Sequence, residues 1–136
     1  AWRDLLATHD LTMRRELKRF RGQEIKTLGD GFLAAFDGPA RAIRCGVSAV
    51  RAALATDFPI RVGIHTGECE LVADDLAGIT VHIAARVGAL AQANEVLVSR
   101  TVKDLVAGSG ITFSDSRTHR LKGLSDKWQL YAVRQV

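Results

Sequence analysis

Gly29-Asp30-Gly31 separates two apolar runs rich in β-branched or aromatic residues, Ile25–Leu28 and Phe32–Phe36. Asp and Gly both tolerate positive φ, so the arrangement predicts two antiparallel strands, beginning near Glu24, joined by a tight turn. The hydrophobic period then changes. Gly38-Pro39 puts a proline at a helix start, and Ala40, Ile43, Val47, Val50 and Leu54 recur at three and four residues. That spacing predicts a helix laying one face on a sheet. A chain that turns from hairpin to covering helix so quickly is committed to mixed α and β structure.

The remaining elements follow from the same rules. Trp2, Leu6, His9, Met13, Leu17 and Phe20 form a helical stripe over roughly residues 1–20, broken by Arg21-Gly22. Ile60, Val62 and Ile64 alternate in a strand running from Ile60 towards Leu71, continuing or turning near Gly67, with Ala73-Asp74-Asp75 predicted to close it. A third helix is predicted over Thr80–Ala91, with Ile79, Ile83, Val87 and Leu90 as its apolar stripe. His82 and Arg86 lie off that stripe and share one face, being four residues apart. Glu95–Ser99 reads as a strand, Val102–Val106 as a short helix ended by Gly108, and Ile111–Asp115 and Trp128–Val133 as the last strands. The fold class expected is α+β, a sandwich with helices covering one face of a mostly antiparallel sheet.

A chain of 136 residues, 47% hydrophobic and 25% charged, has room for one domain with a real core. The net charge of +4 suits phosphate-bearing ligands but does not make a nucleic-acid tract. A sheet-based RNA binder would want exposed strand aromatics, and only 6% of the residues are aromatic. Two cysteines, with no Cys-x-x-Cys, fit neither a disulfide scaffold nor a zinc site, so Cys45 and Cys69 are expected to be reduced and partly buried in a cytoplasmic protein. No apolar run approaches the roughly 20 residues of a membrane span, so no membrane contact is expected. The chain opens without methionine and inside a helical pattern, so an upstream segment is expected.

Four polar stretches stand out on this scaffold: Lys26-Thr27-Leu28-Gly29-Asp30-Gly31-Phe32, Gly63-Ile64-His65-Thr66-Gly67-Glu68, Asp75 to Arg86, and Leu121-Lys122-Gly123. Singly, each has a plain explanation. Asp30 suits a hairpin turn, Lys26 and Lys122 suit solvated strand positions, and Arg86 suits a surface ion pair. Together and in this order they resemble the catalytic domain of class III nucleotidyl cyclases, the adenylate and guanylate cyclases, over about residues 20–133. The version here looks most like bacterial homodimeric members.

The resemblance implies a ferredoxin-like class III sandwich, with residues 1–136 as a catalytic domain lacking its first strand. It implies conversion of ATP to 3',5'-cyclic AMP and pyrophosphate, by attack of the ribose 3'-hydroxyl on the α-phosphate assisted by two Mg2+ or Mn2+ ions. Asp30 matches one metal aspartate; the other belongs on a strand expected upstream of Ala1. Lys26 and Asp75, with Asp74 as the fallback one residue away, match the residues that read the purine edge. An ammonium can donate to an adenine ring nitrogen and a carboxylate can accept from the 6-amino group, whereas guanine presents a carbonyl there. Arg86 matches the arginine that contacts phosphate as the pentavalent centre forms, and Lys122 the triphosphate lysine. His82 stands where the family has an asparagine, and either donates towards ribose or phosphate or sits structurally at a dimer interface. The resemblance further implies a homodimer with shared active sites and a regulatory domain in the parent protein, in intracellular signal transduction. The rival reading is a degenerate, non-catalytic cyclase-homology domain acting in dimerisation or nucleotide binding. His9, His65, His119, Trp2 and Trp128 are expected to be structural.

Overall fold

The computed structural model describes residues 2–28, 31–73, 75–124 and 126–136. The order is α1 (Trp2–Arg19), β1 (Gln23–Leu28), β2 (Gly31–Ala35), α2 (Pro39–Leu54), β3 (Arg61–Ile64), β4 (Glu70–Val72), β5 (Asp75–Ala77), α3 (Ile79–Leu90), β6 (Glu95–Ser99), α4 (Arg100–Leu105), β7 (Thr112–Phe113), β8 (Arg117–Arg120) and β9 (Lys127–Gln135). The three long helical repeats and the β1–β2 hairpin lie where the residue spacing puts them. The hairpin pairs antiparallel, its register closing with Leu28 opposite Gly31.

The central sheet runs β3-β6-β9-β7, with β8 also on β9. Among the described residues, β3 and β6 pair parallel, and β9 is antiparallel to β6, β7 and β8. Its nine residues let one edge take β8 at Lys127–Leu130 and then β7 at Val133 and Gln135.

Helices cover both faces of this sheet, not one as expected. The cause is legible in β6, where Val96, Leu97, Val98 and Ser99 are all buried. Alternate residues point opposite ways, so Val96 and Val98 pack with Ile43 and Val50 of α2 and Val102 of α4. Leu97 packs on the other side with Ile83 and Val87 of α3. Strand β3 shows the same division. Val62 faces Gly46 of α2, while Gly63 lies so close to α3 that a Cβ there would overlap the Gly88 backbone. The absence of a side chain at Gly63 is what lets α3 descend onto the sheet. The ends of the α3 stripe do not reach the core: Ile79 and Leu90 are exposed.

A third cluster, Met13 of α1 with Ala49 and Ala53 of α2, fixes the first helix. His9 is buried beside it and stacks on Phe58 at 3.7 Å.

Two strands were not foreseen. Asp75 begins β5 and pairs opposite Val72, where a polar closure was predicted. β8, Arg-Thr-His-Arg, carries no apolar residue and is held through its pairing with β9. Both cysteines are free. Cys45 is buried and its thiol is pushed up to about 11, chiefly by burial, with the Glu16 charge adding. Cys69 is exposed in the loop before β4, not partly buried in a strand. Among the described residues no helix is long and apolar enough to cross a membrane.

Candidate active site

Lys26 on β1 and Asp75 at the head of β5 meet across two short hairpins, Nζ donating to Oδ2 at 2.8 Å. The Lys26 hydrogen bond is the main reason the Asp75 carboxyl sits below its ordinary range; the lysine charge adds to it, the Leu76 amide contributes least, and partial burial opposes. The carboxylate is thus ionised at neutral pH and only half used. Its Oδ1 is shut off from solvent and makes no well-formed hydrogen bond among the described residues.

The β5 strand leads through Gly78 into α3, which carries His82 and Arg86 on successive turns of one face. Arg86 is half-buried, and its Nε is likewise enclosed without a hydrogen-bond partner among the described residues. A buried donor and a buried acceptor left open in this way are expensive in a folded chain unless a ligand or water completes them. His82 Nε2 lies 3.2 Å from the carbonyl oxygen of Lys122. Lys122 itself is exposed, with no ion pair among the described residues, in the turn between β8 and β9.

The structure therefore brings Lys26 to Asp75 and His82 to Lys122, with Arg86 one turn beyond His82. No hydrogen bond or ion pair joins the two pairs among the described residues. Asp30 and Asp74 lie outside the described residues. No three His, Cys, Asp or Glu side chains gather into a cation site among those described.

Supporting contacts went unrecognised in the sequence. Thr80, buried in the first turn of α3, donates through Oγ1 to the Glu68 carbonyl at 2.7 Å, tying the Gly67-Glu68 loop to the helix that carries His82 and Arg86. A threonine at a helix start was the available signal, but its partner is a backbone group twelve residues away. His65, just after β3, has Nδ1 2.6 Å from the buried Ser99 hydroxyl and its ring edge-on to Trp128. Burial holds its pKa below the ordinary imidazole value.

The sequence matches the profile of the adenylate and guanylate cyclase catalytic domain over residues 1–135. The fold is that of solved cyclase domains. An adenylate/guanylate cyclase/hydrolase from Silicibacter pomeroyi superposes with a TM-score of 0.85 at 25% identity, covering 98% of this chain and 85% of that one. The adenylyl cyclase CyaB from P. aeruginosa gives 0.86 at 24% identity, over 98% of this chain and 82% of that one. The chain belongs to the family of adenylate and guanylate cyclase catalytic domains. A Rhizobium meliloti (strain 1021) protein provisionally named adenylate cyclase 3 is 32% identical over 138 residues, which is 90% of this chain and 24% of that protein. An uncharacterised Mycobacterium tuberculosis protein is 38% identical over 82 residues, 60% of this chain and 32% of its own length. The chain thus spans about a quarter to a third of these relatives.

Proposed function

We propose that this domain is an adenylate cyclase, forming 3',5'-cyclic AMP and pyrophosphate from ATP. One observation carries the reading: the two open, enclosed polar atoms, Asp75 Oδ1 and Arg86 Nε, belong to two of the residues the family pattern assigns to substrate. An unpartnered carboxylate oxygen suits the 6-amino group of adenine and repels the 6-carbonyl of guanine. Lys26, already beside Asp75, supplies a donor to the neighbouring ring nitrogen. An unpartnered guanidinium N–H suits an α-phosphate oxygen that gains charge as the 3'-oxygen bonds to phosphorus and the bond to the leaving pyrophosphate breaks. Lys122 adds an exposed cation for the triphosphate. Asp30 would be this chain's ligand for Mg2+ or Mn2+, whose chemistry when bound is neutralisation of phosphate charge. The proposal extends to a homodimer whose shared sites draw on both copies, joined in the parent protein to a regulatory domain, in the cytoplasm.

A second reading, a cyclase-homology domain that binds nucleotide without turnover, is favoured by one observation: His82, which the resemblance puts at an asparagine position, directs Nε2 to the Lys122 carbonyl. The two separate in one assay. The wild-type full-length protein and Arg86→Ala are given ATP with Mn2+, and nucleotide binding and cyclic AMP are both followed. Adenylate cyclase activity predicts product from the wild type and a loss of about 10²–10³ in the variant, comparable to removing one transition-state donor. Binding of ATP by the wild type with no cyclic product would select the second reading.

A further inference from the structure

We propose that His82 is a positioning residue: its imidazole clips the Lys122-Gly123 turn to α3 and so fixes where the Lys122 ammonium stands, while making no contact with the nucleotide itself. The inference rests on the reading of Lys122 as a phosphate-binding group.

The chemistry of the contact decides the direction of the hydrogen bond. A carbonyl oxygen only accepts, so at 3.2 Å from Lys122 the His82 Nε2 carries the hydrogen. In the neutral ring this leaves Nδ1 bare, an acceptor that cannot serve an anionic phosphate oxygen. The donor that an asparagine amide could offer a substrate is here spent on the main chain.

The packing shows a turn seated on that ring. Gly123 takes φ +86, and a Cβ on it would stand 3.2 Å from His82 Nε2. Glycine therefore meets two demands at once, the left-handed conformation and the approach of backbone to imidazole. Leu121 on one side is 1% exposed and packs with Ile83 and Val87 of α3. The Leu124 amide closes the turn on the Leu121 carbonyl at 3.0 Å. Lys122 is thus held between an apolar anchor and the histidine clip, both footed on α3. That helix also carries Arg86 one turn after His82, so the clip sets the spacing between two cationic groups that the proposed substrate must span.

The test compares His82→Ala, His82→Gln and Lys122→Ala in the full-length protein. Amide hydrogen exchange at Leu124, whose N–H closes the turn, reads the clip without any need for turnover. Exchange about 5–10-fold faster in His82→Ala, the worth of roughly one neutral hydrogen bond, with wild-type protection elsewhere in α3, supports the clip; unchanged exchange at the turn overturns it. Steady-state kinetics with ATP read the consequence. His82→Ala should raise KM by a similar factor with little change in kcat, His82→Gln should recover much of the loss because its amide can donate to the same carbonyl, and the effect should vanish in a Lys122→Ala background. A fall in kcat at unchanged KM that persists undiminished without Lys122 would place His82 on the nucleotide and overturn the proposal. Absence of any cyclic product would count against the cyclase reading, and the exchange result would still decide the clip.

Discussion

Lys26 and Asp75, 49 residues apart in the chain, meet at 2.8 Å with one carboxylate oxygen left over. The lysine neutralises the aspartate while Oδ1 makes no well-formed hydrogen bond among the described residues, a pairing suited to a base edge that alternates acceptor and donor, as adenine does.

Exchanging the pair for Glu at 26 and Cys at 75 is expected to lower turnover of ATP far more than that of GTP. The altered site leaves polar groups of adenine unpaired, at about 1–3 kcal/mol for each buried group. Parallel falls in both rates would make the two residues structural. Because Lys26 depresses the Asp75 carboxyl, Asp75 is ionised above the ordinary value of 3.8 and protonates only once the pH falls below it. The ATP-to-GTP ratio should therefore stay level from pH 8 down to about pH 5, measured as initial rates on each nucleotide.

Gly63→Ala is expected to destabilise the domain by about 1–3 kcal/mol or more, since the added methyl meets main chain in α3 and cannot be relieved by a rotamer change. Urea unfolding followed by circular dichroism measures this. Ala at the open Gly38, where a Cβ meets nothing within 4 Å, is the control.

Arg117 on β8 holds Glu95 at the start of β6 through two contacts, 2.6 and 3.0 Å. The arginine's hydrogen bond is the main reason the Glu95 carboxyl lies below its ordinary range. A depressed carboxyl contributes stability that is fully present above its unfolded value, near 4.5, and is lost as pH falls through the lower folded value. Glu95→Gln should therefore flatten the acid limb of the stability curve below about pH 5, and Arg117→Ala should cost about 1–3 kcal/mol at neutral pH. Thermal melts from pH 3 to pH 7 check both.

The long elements were legible because α1, α2 and α3 repeat their apolar residues over three or more turns, and the β1–β2 hairpin because Asp-Gly is a strong turn signal. β5 was not, because three residues are too few to show a period. β8 was not, because its charged side chains carry no burial signal and its stability comes from backbone pairing. The cover on both sheet faces was encoded in the unbroken Val96-Leu97-Val98 run, which alternation alone does not explain. Lys26, Asp75, Arg86 and Lys122 could be picked out by pattern, but the contacts could not: Lys26 with Asp75, His82 with a carbonyl forty residues on, and Thr80 with Glu68 all depend on tertiary approach.

A shared active site predicts complementation. Asp30→Ala and Arg86→Ala homodimers should each be inactive, whereas a mixed dimer gathers both lesions in one site and leaves the other intact. Mixing equal amounts with free exchange should restore about a quarter of the wild-type rate, half the dimers being mixed with one good site of two. No recovery despite demonstrated exchange would place both residues on the same nucleotide from within one chain.

The most direct test of adenylate cyclase activity is a side-by-side measurement of cyclic AMP from ATP and cyclic GMP from GTP, made with the wild-type full-length protein and Mn2+. The open Asp75 oxygen beside Lys26 predicts a kcat/KM for ATP at least about 100-fold above that for GTP, the equivalent of about 3 kcal/mol for polar groups left unpaired with the wrong base. Equal values, or a preference for GTP, would contradict it.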